Sequence, residues 1–116
     1  MYYELPKSQK KIARMLMDKG LMREYEIGIN RIDDTIQKWK DGKFDNQKAY
    51  QKIYKRLTSF DKHIARRYDG IGGSRYVEVL VGQLVDGIIT QDELNDFDEE
   101  VRTVIIRWSR FNSEDE

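Results

Sequence analysis

Length and composition exclude several classes of protein. The 116 residues suit one domain, and 36% charged with 39% hydrophobic residues excludes a membrane protein or an extensively disordered one. The lack of cysteine excludes disulfide bonds and thiolate chemistry and favours a reducing, cytoplasmic setting. The N-terminal segment has no apolar signal core, and no run approaches the ~20 apolar residues of a membrane span.

The net charge of zero hides an uneven distribution along the chain. Residues 48–75 carry 8 basic and 2 acidic groups, a balance of +6, whereas residues 76–116 carry 3 basic and 11 acidic groups, a balance of −8. Residues 1–47 are close to balanced, at +2. This asymmetry makes the basic middle of the chain the first place to look for a binding surface.

The first two predicted helices are separated by a glycine. One runs from Pro6 to Lys19, because proline suits a first helical turn, and Gly20 is expected to end it in the left-handed conformation. The other runs from Met22 to Lys40. Its apolar residues are spaced alternately by three and four positions, as in a coiled-coil seam: Met22, Tyr25, Ile29, Ile32, Ile36 and Trp39. Gly28 marks either a close helix crossing or a tolerated defect.

A third helix is predicted from Asn46 to Tyr68, with Asp45 as its N-cap. The short turn at Asp41-Gly42 favours an antiparallel pairing with the preceding helix, resembling an antiparallel coiled coil. The apolar residues of this helix form a second seam with the same spacing: Tyr50, Ile53, Leu57, Phe60 and Ile64.

The most apolar window, residues 76–89, predicts a short fourth helix buried at the centre of the fold. Ser74 is expected to cap it, and Asp86-Gly87 to stop it. A fifth helix, residues 91 to about 111, opens with a capping box formed by Thr90 and Glu93. We therefore predict an all-α bundle of five helices, made of two helical hairpins plus an N-terminal helix. It forms a single domain over residues 1–111, followed by a disordered acidic tail at 112–116.

The basic side of the third predicted helix is the clearest candidate site. Several cations on one surface are what binding to nucleic-acid phosphates requires. The candidate residues are Lys48, Lys52, Lys55, Arg56, Lys62, Arg66 and Arg67. The alternatives are a solvated helix face, or a face docked on the acidic start of the fifth helix.

The glycine-rich connection at residues 69–75 is a second candidate. Exposed N–H groups at a helix start can hold a phosphate or carboxylate, and Gly72, Gly73, Ser74 and Arg75 would supply them here. No strand precedes the segment and no P-loop lysine follows it, so a flexible connection is the alternative.

Residues 86–94, DGIITQDEL, resemble the second half of an EF-hand calcium loop. In that alignment Gly87 is the loop glycine and Glu93 takes the position of the bidentate glutamate. The first and third ligand positions hold Gly82 and Leu84, which have no oxygen-bearing side chains. A helix stop followed by a capping box explains the same residues, so no calcium site is expected.

No residues form a pattern typical of catalysis. His63 is the only histidine, and without cysteine or a paired histidine neither a metal centre nor a catalytic triad is expected. We therefore expect no cofactor and no catalytic residues, and a protein that is not an enzyme.

The leading hypothesis is a small protein–protein interaction module. In one version of it, two copies of the chain form a homodimer through the two apolar seams. A second possible partner surface is aromatic, near the end of the fifth predicted helix: Ile106, Trp108 and Phe111. Burial in the protein's own core is the alternative for these residues. A nucleic-acid-binding protein is the second hypothesis, and a binder of a phosphorylated ligand at the glycine-rich connection is the third.

Overall fold

The computed structural model describes residues 3–114, which form four α-helices and, within that range, no β-strand. The α-helices are α1 (Lys7–Lys40), α2 (Asn46–Tyr68), α3 (Tyr76–Val85) and α4 (Glu99–Glu114). Two short 3₁₀ turns lie at Gly73–Arg75 and Gln91–Leu94. The all-α prediction is confirmed, whereas the prediction of a five-helix bundle is wrong.

The first error is at Gly20, which does not end a helix but lies inside the continuous α1. A Cβ atom built on Gly20 would lie 2.2 Å from Nε2 of Gln83, a fully buried side chain on α3. Gln83 Nε2 also donates a hydrogen bond to the Met17 carbonyl at 3.1 Å. Gly20 is therefore present for close packing, and the sequence shows only the glycine and not the neighbour that requires it.

The chain divides into two compact units. The first contains the described residues up to Arg23 and those from Gly70 onward, so it includes the start of α1, α3 and α4. The apolar α3 lies in the core of this unit, as predicted, with Val77, Leu80 and Val81 all at most 2% exposed. The core is completed by Ile89, Leu94, Phe97, Val101 and Ile105.

The predicted fifth helix is interrupted. The capping box of Thr90 and Glu93 is present, but it opens only the short 3₁₀ turn Gln91–Leu94. The N–H of Asp98 then donates to the buried Gln9 side chain at 2.8 Å, a long-range contact that sequence reading could not supply. Because this N–H is satisfied by Gln9, the chain leaves the helical hydrogen-bonding pattern and α4 starts at Glu99.

The predicted boundaries of α3 are partly confirmed. Gly87 adopts a positive φ of 71° just after α3, as expected of a helix stop. Ser74 does not cap the helix, however, because it lies inside the 3₁₀ turn and Arg75 occupies the N-cap without a side-chain bond. At the other end, α4 continues to Glu114, and residues 115–116 of the predicted tail lie outside the described residues.

The second unit is Glu24–Asp69, a helical hairpin of the end of α1 and the whole of α2. Gly42, with a φ of 83°, follows α1, and the Asp45 side chain accepts a hydrogen bond from the N–H of Lys48 at 2.7 Å. The predicted turn and N-cap are therefore confirmed. The helices are antiparallel, since Trp39 bonds to Asn46 near the turn while Glu24 meets the far end of α2.

We predict that Gly20→Ala destabilises the protein by about 1–3 kcal/mol, because the new methyl group overlaps Gln83. In a Gln83→Ala background, where the obstructing amide is gone, the same substitution should stabilise the protein by up to about 1 kcal/mol, since alanine is the better helix former. Urea denaturation of the four proteins in this double-mutant cycle measures both values. The same loss in both backgrounds would contradict the packing role of Gly20.

Candidate interaction surfaces

The contact between α1 and α2 runs along a line of small or polar residues on α1 and not along the predicted isoleucine seam. Glu24, Gly28 and Thr35 are buried, and a Cβ on Gly28 would lie 2.6 Å from the Phe60 ring. Ile29, in contrast, is 67% exposed. Gly28 therefore marks a close helix crossing, which is one of the two alternatives that the sequence left open. The predicted antiparallel pair exists, and Phe60 and Ile64 of the predicted α2 seam lie in the contact, whereas the isoleucines of the predicted α1 seam are turned away from its centre.

Glu24 is the polar centre of this contact, with a side chain only 5% exposed. Its Oε1 lies 2.7 Å from Nε2 of His63 and accepts a hydrogen bond from Nη1 of Arg67 at 2.9 Å. The Tyr68 hydroxyl donates to Oε2. The cluster fixes the rotation of α1 about its own axis, because any other rotation would leave a buried carboxylate without these partners. Arg67, predicted to bind phosphate, thus binds Glu24, as does His63, the single histidine.

Sequence reading missed Glu24, although a signal was present. Glu24, Gly28 and Thr35 are separated by four and seven positions, so they share one face of a helix. A face with a glycine and other small or polar residues permits a close crossing, which the larger isoleucine side chains do not.

The rotation set by Glu24 turns the α1 seam, together with part of the α2 seam, toward one side of the hairpin. At about 100° per residue, Ile29 and Ile36 lie about 100° and 80° around α1 from Gly28. Leu57 and Tyr50 lie about 60° and 80° around α2 from Phe60, in the same sense. Because the helices are antiparallel, rotations in the same sense on each point to the same side of the hairpin.

We call this side the apolar face. Its most exposed members are 40–71% exposed: Tyr25, Ile29, Tyr50, Tyr54 and Leu57. Ile32, Ile36 and Ile53 are half-buried beside them. Apart from the exposed Asp61 on α2, the face is a set of large apolar side chains in two rows, which is more than the scattered single residues normal on a protein surface.

The opposite side of α2 is the cationic face. It covers the α2 residues that lie about 80° to 160° around the helix from Phe60, in the direction away from the apolar face. All of them are basic except one serine: Lys48, Lys52, Lys55, Ser59, Lys62 and Arg66. None of these five cations forms an ion pair within residues 3–114. Lys52 lies 4.8 Å from the centre of the Phe44 ring. Arg56 is exposed beside this face, toward α1.

In the first unit, the strongest polar contact joins Arg23 to Glu93. Arg23 donates from both terminal nitrogens to the two carboxylate oxygens, at 2.7 and 2.8 Å, and Lys19 lies 3.3 Å from Oε2. The hydrogen bonds from Arg23 lower the pKa of Glu93 from 4.5 to about 2. The residue that resembled an EF-hand ligand is thus held by two cations and its own capping box.

In the glycine-rich connection Gly72 and Ser74 are exposed, and Gly73 and Arg75 are half-buried. Gly72 is exposed and precedes the 3₁₀ turn, while the position of a Cβ on Gly73 lies 3.1 Å from Lys10 Nζ. Lys10 binds Glu4 at 2.8 Å, and Arg75 Nε lies 3.4 Å from Glu78. Both nearby cations thus have acidic partners, and anion binding here stays a prediction.

The predicted partner residues of α4 are half-buried or exposed. Phe111 is 55% exposed, whereas Ile106 and Trp108 are half-buried. The Trp108 ring meets the Tyr3 ring edge to face, with centroids 6.4 Å apart. Trp108 also lines a pocket of about 120 Å³ with Glu78, Val81 and Asn112. A partner interface at these residues stays a prediction.

No family model, curated protein or solved structure matches this chain. Within residues 3–114, no three His, Asp or Glu side chains are grouped so that they could hold a metal ion. The helices of that range also include none with the length and apolar character needed to cross a membrane.

We predict that Glu24→Gln lowers the free energy of unfolding by about 3 kcal/mol, because it removes the charge that Arg67 binds and places an amide N–H₂ against other donors. Glu26→Gln is the matched control, since Glu26 is exposed on the same helix and should change stability by less than about 0.5 kcal/mol. Chemical denaturation measures both. Equal effects of the two substitutions would mean that Glu24 does not hold the hairpin together.

We further predict a pH signature for Glu93. Because its pKa is lower in the folded protein than the usual 4.5, the ionised form stabilises the fold above that pH, and the contribution is lost as pH falls toward 2. Glu93→Gln should cost about 2 kcal/mol at neutral pH. The difference from wild type should shrink between pH 5 and pH 2, as measured by denaturation at each pH. Asp92→Asn, an exposed neighbour, should show no comparable effect.

Proposed function

We propose that this chain is a small, non-enzymatic protein–protein interaction module that forms a homodimer through the apolar face of its α1–α2 hairpin. One observation carries the proposal. Within Glu24–Asp69, every residue of which is described, the only buried hydrophobic side chains are Ala49 and Ile64. A unit of this size with so little buried apolar area depends on association for stability.

The direction of the apolar face supports a four-helix arrangement. In a four-helix bundle each helix points its apolar residues toward the bundle axis, which lies between its two neighbours. Five of the six α1 seam residues are rotated by roughly 40–120° from the helix–helix contact, and Tyr50 and Leu57 on α2 are rotated by about 60–80° toward the same side. The hairpin thus has the geometry of half a four-helix bundle, and a second hairpin with the same pattern completes it.

A second copy of the chain is the occupant that the surface fits best. The heptad spacing on both helices provides ridges that an identical hairpin can interdigitate with, and an isologous two-fold contact is the commonest form of association. The face extends about 17 Å along the helices, from Tyr25 to Ile36, and about 20 Å across the two of them. Two copies would then bury on the order of 700 Å², the size of a weak interface that forms at high protein concentration.

The test is the mass in solution. Wild-type protein at 0.1 mM should have twice the 13.9 kDa mass of one chain by light scattering coupled to size exclusion. The double variant Ile29→Glu/Leu57→Glu should be monomeric, because it buries four carboxylates per dimer without partners. The control Asn30→Glu/Gln51→Glu adds the same charges at exposed polar positions of the same helices and should stay dimeric.

A second measurement covers the case in which the monomeric variant also loses its structure. The melting temperature of the wild-type protein should rise with protein concentration, because association stabilises only the folded state. A wild-type monomer at 0.1 mM with a concentration-independent melting temperature would contradict the proposal. Equal dissociation of both double variants would also contradict it.

A further inference from the structure

The cationic face of α2 is a surface that the dimer does not use, because it lies on the side of the hairpin opposite the apolar face. Its exposed cations Lys48, Lys55, Lys62 and Arg66 are joined by the half-buried Lys52. From Lys48 to Arg66 the row extends about 27 Å along the helix axis. No acidic residue of α2 lies among them, since Asp61 is on the apolar side of the helix.

We propose that this face binds the phosphate backbone of duplex nucleic acid. A duplex presents one negative charge per ~1.7 Å of its axis, so a row of this length can meet several phosphates at once. Both partners are stiff: the row lies on one uninterrupted helix, and a duplex bends little over such a distance. The row thus holds its five charges in line before binding, with little backbone to be ordered.

The composition of the face distinguishes this ligand from other anionic partners. A protein interface needs an apolar centre, and between Lys48 and Arg66 the face contains only cations and Ser59. Adsorption to an anionic membrane combines cations with apolar side chains that enter the lipid on the same side. On α2 the apolar side chains point the other way, and from the α1 part of the hairpin only Ile27, 38% exposed, lies on the cationic side. Contacts to phosphates alone fit the surface, and they imply binding without base specificity.

The salt dependence of binding gives a quantitative test. Five phosphate contacts predict that the logarithm of the association constant falls with the logarithm of salt concentration with a slope of about −4.5. Lys55→Gln/Lys62→Gln/Arg66→Gln leaves two contacts, so the slope should become about −1.8 and binding at 0.1 M salt should be about 500-fold weaker. Fluorescence anisotropy with a labelled 24-base-pair DNA duplex measures both quantities.

The matched control is Lys7→Gln/Lys11→Gln/Arg14→Gln, which removes the same charge from exposed positions on α1. It should keep the wild-type slope and affinity. The monomeric variant Ile29→Glu/Leu57→Glu should keep the slope as well, if it retains its helix content by circular dichroism. Failure of the dimer and failure of nucleic-acid binding are therefore distinguishable.

Several results would overturn the proposal. These are no binding at 50 mM salt, the same loss in the control triple variant, or tighter binding to a single strand of equal length. Tighter binding to phosphatidylserine vesicles than to the duplex would assign the face to a membrane surface and would also overturn it.

Discussion

The burial of Glu24 is the constraint on which the arrangement of the hairpin depends. A carboxylate with a 5% exposed side chain must keep its donors, and those donors are at fixed positions on α2. Four residues further along α1, Gly28 meets the Phe60 ring and allows the helices to approach closely. Together these contacts decide which side of α1 faces α2. The isoleucines are consequently turned aside, and the hairpin acquires an apolar face on one side and a cationic face on the other.

A hairpin held in this way leaves large apolar side chains exposed that a different rotation of α1 would bury. If the isoleucine seam formed the α1–α2 contact, as the heptad spacing suggests, the large apolar residues would be hidden within one chain. Instead Ile29 is 67% exposed and Tyr50 is 71% exposed. In small domains the burial of apolar area is the main source of stability. Leaving apolar side chains exposed therefore forgoes folding free energy unless another surface covers them. This cost is the physical reason for proposing association as the role of the second unit.

Much of the local structure could be predicted from sequence because its causes are local. The N-cap at Asp45, the capping box at Thr90 and Glu93, and the glycine that follows α3 depend on residues within a few positions of each other. The apolar α3 was also recognisable, because so much of its circumference is apolar. The candidate basic row was visible as a periodic pattern, and its composition could be read directly.

The failures have long-range causes. From its local sequence Gly20 is predicted to end a helix. Its actual role is to pack against Gln83, which lies far away in the chain and which no neighbouring residue indicates. The interruption before α4 depends on Gln9, and the rotation of the hairpin depends on Glu24 reaching His63 and Arg67. Periodicity identified the apolar residues of α1 correctly but could not tell whether they face α2 or lie exposed beside it. That distinction separates a hairpin with a closed apolar contact from one with an exposed apolar face.

The most direct test of whether a second chain covers that face is a distance between two chains at the edge of the apolar face. The chain has no cysteine, so Asp33→Cys provides one spin-labelling site per copy, exposed on α1. Pulsed dipolar electron spin resonance on this protein should show one defined distance between labels, because each dimer brings two equivalent sites together. The same label at Lys7→Cys, which lies outside the hairpin, serves as the control position. A dipolar signal absent at Asp33 under conditions where the protein is folded would contradict the account.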